Sequence, residues 1–257
     1  MAISVLLYAG LSLLAFGSLS ILWPPRFLGI ATRRRALAVV AAGTGAAALA
    51  LLLPAPRARR SARGATRLDA FVPEFQFSEF HERTVHATPE RIDRAIRTVA
   101  AEEIRLFRLL TRIRNPGSLW SRQPESILNP PAKEPILEVA KRSGFVLLAE
   151  DPGRELVLGT LVVRPPGVRV SVPDDPAETG RRFAALSAPG SAKAAMNVRV
   201  ERQPDGTCRL TTETRIFATD RDTARRFALY WRFVHPGSAL LRVMWLRAIA
   251  ARAESGI

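Results

Sequence analysis

Hydrophobic positions are distributed along this chain in two distinct regimes. Residues 2–23 carry no charge and are apolar nearly throughout. As one helix they would cross the roughly 30 Å hydrocarbon core of a bilayer. Trp23-Pro24-Pro25-Arg26 ends the run with an interfacial aromatic, two helix-breaking prolines and a charge. Residues 36–53 form a second charge-free run of about the minimum spanning length, rich in alanine and closed by Pro54. No basic region precedes the first run and no small-x-small cleavage site follows it, so it reads as a retained helix, not a signal peptide. The two runs predict a two-helix membrane anchor over residues 1–54; the alternative is a hairpin buried in a protein core.

After that the pattern becomes that of a water-soluble domain. Residues 55–67 are Pro, Ala, Arg and Ser with almost nothing to bury, and read as an Arg-rich linker. Over 68–257 the periods of strand and helix recur. Phe75-Gln76-Phe77-Ser78 opens a strand running to Val85. Thr88-Pro89-Glu90 supplies a capping oxygen, a proline for the first helical position and an acid for the first turn. Ile92, Ile96 and Val99 then recur at helical spacing, and Ile104, Phe107, Leu110 and Ile113 continue it, with room for a break between. Asn115-Pro116-Gly117 stops the pattern, and residues 118–134 read as a surface loop.

Ile136, Val139 and Ala140 predict a short helix ended by Gly144. Two strands follow, Phe145 to Leu148 and Leu156 to Val162, joined by the turn Asp151-Pro152-Gly153. Residues 165–190 are irregular, with a helix near 179–186. Met196 to Glu201 and Cys208 to Phe217 alternate as half-buried strands do, around the turn Gln203-Pro204-Asp205-Gly206. Thr219-Asp220-Arg221-Asp222 then starts one helix that reaches almost to the C-terminus. Strands flanked by helices, without regular strand–helix alternation, predict an α+β domain with an antiparallel sheet.

That order resembles the helix-grip fold of the START / Bet v 1-like (SRPBCC) superfamily, in a bacterial, membrane-anchored branch. The resemblance covers most of residues 71–254. It rests on the topology and on Ala194-Ala195-Met196-Asn197, Thr212-Glu213-Thr214-Arg215 and Phe227-Ala228-Leu229-Tyr230-Trp231. The chain departs from the superfamily in strand number: five are clear here, where members have six or seven. Any further strands would lie in 163–172 or in the loop before Ile136. The resemblance implies a cavity between a curved sheet and the last helix, holding an apolar or amphipathic small molecule, lipids included. It implies as an alternative a small cyclase- or hydratase-like enzyme. A third reading is a structural or partner-binding membrane protein whose core is filled by its own side chains.

Composition narrows the choice. The net charge of +15 would suit nucleic acid, but 35 of the 38 basic residues are Arg, spread along the chain, and no nucleic-acid-binding motif accompanies them. Nucleic acid is therefore not an expected partner; membrane lipids are. The positive-inside comparison sets Arg26, Arg33, Arg34 and Arg35 against Arg57, Arg59, Arg60, Arg63 and Arg67, and favours neither orientation of an inner-membrane anchor. Cys208 is the single cysteine, which excludes an intrachain disulfide, and it reads as a small buried hydrophobe.

Phe227, Tyr230, Trp231 and Val234 make one apolar face of the last helix; Leu241, Trp245, Ala248 and Ile249 make another after His235-Pro236-Gly237-Ser238. These read either as a cavity wall kinked at Pro236-Gly237 or as a helix packed on its sheet. The expected cavity wall is Phe75, Phe77, Phe107, Leu147, Leu158, Met196, Leu210, Thr212, Phe227, Tyr230, Trp231 and Trp245.

Candidate chemistry is sparse. Glu79 and His81 share a face of the first strand with Phe75 and Phe77, and Glu213 and Arg215 share a face of the last. As neighbours, these strands could pair Arg215 with Glu79 beside His81, a set able to do acid–base work or hold a polar head. The alternative is a cross-strand ion pair on the solvent face, which Leu210, Thr212, Thr214 and Ile216 on the other face of that strand favour. His81, His86 and His235 match no metal-ligand spacing, no Gly-x-Ser-x-Gly or phosphate loop is present, and no cofactor is expected. Asp174-Asp175 reads as a turn.

Overall fold

The computed structural model describes residues 2–25, 32–61, 66–114, 126–127, 129–168 and 175–255. The expected stop at Asn115-Pro116-Gly117, most of the loop 118–134 and residues 169–172 lie outside these. The chain forms two compact units, residues 1–55 with 228–236, and residues 56–227 with 237–257. A stretch of the last helix therefore groups with the N-terminal helices instead of with the sheet.

In the first unit, α1 (Ala2–Leu22) and α2 (Arg33–Leu52) pack along a seam of mostly small residues. Ser4, Leu7, Gly10, Gly17 and Ser20 face Ala36, Gly43, Ala47 and Ala50. Small side chains let two backbones approach closely, which is how helices associate where lipid removes the hydrophobic drive. A Cβ on Gly10 would lie 2.6 Å from the Ala47 nitrogen, and one on Gly43 would lie 2.5 Å from the Leu14 nitrogen. Apart from Arg33, Arg34 and Arg35 at the start of α2, the remaining surface is mostly apolar, with Val5, Leu13, Phe16 and Leu19 exposed. Only 22% of each helix's most apolar window is buried, unlike a hairpin sunk in a protein core, and both helices are long and apolar enough to cross a membrane.

The second unit is α+β. Its main sheet is antiparallel, in the order β3 (Phe77–Val85), β7 (Cys208–Ala218), β6 (Ala192–Arg202), β5 (Glu155–Val163), β4 (Val146–Asp151). Two residues of the expected linker, β1 (Arg59–Arg60), pair with β2 (Glu74–Phe75) in a separate small ladder. The helices are α3 (Pro89–Thr98), α4 (Phe107–Arg114), α5 (Ile136–Arg142), α6 (Pro176–Ala185) and α7 (Arg221–Ser255). Local chemistry sets their ends. The Thr88 side chain accepts from the Arg91 N–H at the start of α3, and Gly144 takes φ +90° just past α5. The turn after β6 closes with Gly206 at φ +83°. Asp175 caps α6 by accepting from the Ala177 N–H. Helix α7 runs through Pro236 without interruption, although that residue has no N–H to donate back to Arg232.

Both faces of the sheet are covered. On one, Val85, Leu158, Met196, Val198 and Leu210 meet Trp245, Leu246 and Ile249 of α7 and Ile92 and Ile96 of α3. On the other, Val157 and Ala195 meet Leu68, Phe71, Val72 and Phe75 from the segment before β3, and Phe183 from α6. Gly159 makes room for the last: a Cβ there would lie 2.8 Å from the Phe183 ring. Cys208 is fully buried, and burial pushes its thiol pKa up.

The start of α7 is held by Asp220. Its carboxylate accepts from the N–H groups of Thr223 (2.8 Å) and Gly190 (2.7 Å) and from the Thr223 hydroxyl (2.8 Å). The backbone bonds from Thr223 and Gly190 are the main cause of its pKa falling from 3.8 to about 2. A lowered folded pKa gives stability that is complete above the unfolded value and lost as pH falls through the folded one. Asp220→Asn should therefore lower the thermal midpoint at pH 7, and the difference from the parent should vanish as pH falls from about 4 to about 2. An equal difference at both ends of that range would refute this role.

Candidate functional site

Between the sheet and α7 the second unit encloses a partly open cavity of about 260 Å³. Ile104 and Phe107 line one side, α5 another, β5 and Met196 the floor, and Leu241 and Trp245 the roof. The wall is mainly apolar, with polar groups at Thr160, Ser238 and Arg242. The Arg242 guanidinium carbon lies 5.5 Å from the centre of the Trp245 ring. Trp245 is 6% exposed, and its indole N–H is buried with no hydrogen-bond acceptor among the described residues. An unsatisfied buried donor costs about 1–3 kcal/mol.

Of the expected wall, Phe107, Leu158, Met196 and Trp245 line this cavity. Leu147 and Leu210 belong to the same core. Phe77 and Phe227 pack edge to face, with centroids 4.9 Å apart. The Thr212 hydroxyl donates to the Asn197 carbonyl at 2.7 Å. Tyr230 and Trp231 fall in the 228–236 stretch of the first unit, and Tyr230 is exposed. Phe75 does not share a face with Phe77: it packs on the far side of the sheet with Leu68 and Phe71. The alternation restarts between β2 and β3, which are separate strands. Ile136, Leu137, Ser238, Leu241 and Arg242 also line it. The helical periods containing Ile136 and Leu241 were visible in sequence; the role of Arg242 was not, because a lone arginine on a helix usually faces water.

The polar candidates separate onto two faces. In the β3–β7 register, Glu79 stands opposite Thr214 and His81 opposite Thr212, both on the side of α7. His81 Nε2 lies 2.7 Å from Glu79 Oε1, and the Ser238 hydroxyl donates to Glu79 Oε2 at 3.1 Å. Glu79 thus ties the edge strand to α7 beside the cavity wall. A carboxylate, not the imidazole, sits next to the Ser238 hydroxyl.

Arg215 does not pair with Glu79. It lies on the far face, fully buried, with Nε 2.9 Å from Glu213 Oε1 and Nη1 2.6 Å from Asp69 Oδ1. The Phe75 ring centre is 5.1 Å from its guanidinium carbon. Burial raises the Asp69 pKa, but hydrogen bonds from Arg215 and the Thr66 N–H, with the guanidinium charge, outweigh it and hold the carboxyl below its usual range. Asn197 extends the network, donating to Glu155 at 2.7 Å and accepting from the Glu213 N–H at 2.8 Å. The cross-strand pair of Arg215 with Glu79 expected on the solvent face does not form; Arg215 instead pairs with Glu213 and Asp69, and it is buried. Strand parity set Glu79 and His81 apart from Glu213 and Arg215, but it misplaced Phe75 and could not reveal that residues 67–75 and α6 cover the second face.

Lys193, also on this face, donates to the Phe183 and Ala184 carbonyls at the end of α6, and burial lowers its pKa. His86 is exposed and its N–H donates to Glu254, whereas His235 is buried in the first unit. Among the described residues no cluster of three or more His, Cys, Asp or Glu could hold a metal ion.

Neither a protein-family model nor a curated protein matches the chain. Two crystal structures are similar to it in part. Protein MLL2253 from Mesorhizobium loti is 14% identical, with a TM-score of 0.31 over 68% of this chain and 96% of its own. Hypothetical protein jhp0584 from Helicobacter pylori is 12% identical, with a TM-score of 0.32 over 75% of this chain and 98% of its own.

Proposed function

We propose that this chain is a membrane-anchored binding protein for an amphipathic small molecule, built in the manner of the START / Bet v 1-like proteins. The supporting observation is the cavity: a mainly apolar space of about 260 Å³ between sheet and helix, with Arg242 among its few polar lining residues. That space suits an acyl chain or ring entering end-on. Arg242 offers the polar end of the ligand hydrogen-bond donors and a positive charge. The exposed apolar surface of α1 and α2 supports a bilayer as the medium around the anchor.

The test uses full-length protein, purified in detergent, stripped of bound lipid and titrated with a fluorescent medium-chain fatty acid. Leu241→Trp fills part of the cavity from the α7 side and should weaken binding at least about tenfold, or about 1.4 kcal/mol. Equal affinity in parent and variant, with the fold intact by circular dichroism, would sink the proposal. A cavity filled only by protein side chains predicts no saturable binding by either.

A further inference from the structure

The stretch Ala228–Pro236 of α7 has its polarity reversed relative to a helix in water. Its only ionisable side chains apart from Tyr230 are Arg232 and His235, and both are buried, at 4% and 8% exposure. Its outward side chains Leu229, Tyr230 and Phe233 are 44%, 41% and 45% exposed. A surface helix of a soluble protein turns its apolar stripe inward and its charges outward. Charged groups facing the protein interior and bonded to backbone carbonyls, with apolar residues outside, are the arrangement of a segment bathed in lipid.

The bonds within the first unit locate the stretch on the hairpin. The Arg232 guanidinium donates to the carbonyls of Leu51, Leu53 and Pro54, closing the C-terminal end of α2 with a positive charge. The Tyr8 hydroxyl donates to the Phe233 carbonyl at 2.7 Å. Tyr8 lies six residues beyond the start of α1, so this bond is about 9 Å along that helix at 1.5 Å per residue. The stretch thus runs beside the last turn of α2 and the first two turns of α1. That is the depth range of about 5–10 Å at which interfacial helices lie.

We infer that Ala228–Pro236 is a third membrane-embedded segment, with Leu229, Tyr230 and Phe233 inserted at the headgroup–acyl boundary of a phospholipid bilayer. The inference rests on the reading of α1 and α2 as membrane helices. Arg232 eases insertion because both its terminal nitrogens donate to the carbonyls that end α2, so the charge is held against the negative end of that helix.

The test places single cysteines in the full chain carrying Cys208→Ala: Tyr230→Cys, Phe233→Cys, a hairpin reference Phe16→Cys and an aqueous reference Asp205→Cys. Each is labelled with an environment-sensitive fluorophore and reconstituted into phosphatidylcholine vesicles bearing nitroxides at a shallow or a deep acyl position. Labels at 230 and 233 should lose fluorescence to the shallow nitroxide and resist iodide, while the label at 205 is quenched by iodide alone. Iodide quenching at 230 and 233 with lipid quenching at 16 would overturn the inference and leave the anchor standing. Iodide quenching at 16 as well would overturn both. Protection from both quenchers at 230 and 233, with a disulfide-linked dimer of the unlabelled variant, would overturn the inference in favour of a second copy of this chain.

Discussion

Replacing Arg215 by methionine should destabilise the sheet domain by about 3–5 kcal/mol, the range for removing one partner of a buried ion pair. The guanidinium is fully buried between Glu213, itself 3% exposed, and Asp69. Methionine fills much of the volume but leaves the Glu213 carboxylate in a dry environment without that counter-charge. Asp69 contributes less to the loss, because its side chain is 38% exposed and water can solvate it. The double variant Arg215→Met, Glu213→Gln removes both charges and should recover most of the deficit, since a buried pair is close to neutral against an uncharged replacement. Urea titration of the full chain in detergent, followed by circular dichroism, measures both. A single variant within about 1 kcal/mol of the parent would show that Arg215 is solvated after all.

The second large effect is expected in the hairpin. Gly43→Leu should force α1 and α2 apart, because even its Cβ would lie 2.5 Å from the Leu14 nitrogen and 2.8 Å from the Gly10 oxygen. Both are backbone atoms, so no rotamer change relieves the overlap, and the cost should reach or exceed the roughly 1–3 kcal/mol typical of overpacking. Gly45→Leu is the control on the same helix: a Cβ there meets nothing within 4 Å. The readout is cross-linking between Leu7→Cys and Ala50→Cys, positions in one packed cluster, in the Cys208→Ala background. Gly43→Leu should suppress the cross-link and Gly45→Leu should leave it. Equal yields would mean that the helices do not pack along this seam.

Local signals in the chain were reliable where their physics is local. Thr88-Pro89 starts α3 because a hydroxyl acceptor and a fixed φ act within one turn. Gly144 and Gly206 take the positive φ that their turns require. Alternation placed Glu79 and His81 with the core residues of β3, and Glu213 and Arg215 on the other side of β7. Polar groups therefore stand on both sides of the sheet, and both sides are buried. Which polar side chains then meet depends on segments far away in sequence: Asp69 reaches Arg215 across 146 positions, and Ser238 reaches Glu79 across 159.

By itself the amino-acid sequence determined the two apolar helices, the five strands, the caps and turns, and the α+β class, since each depends on composition or periodicity within a few residues. Tertiary structure alone decided that the far face of the sheet is covered, that a cavity remains beside Trp245, and that Arg232 and Tyr8 tie the middle of α7 to the hairpin. The reason is that burial belongs to whatever packs against a residue. Tyr230 and Trp231 have the same helical spacing in a cavity wall as on a helix grouped away from the sheet, and only their tertiary neighbours distinguish the two.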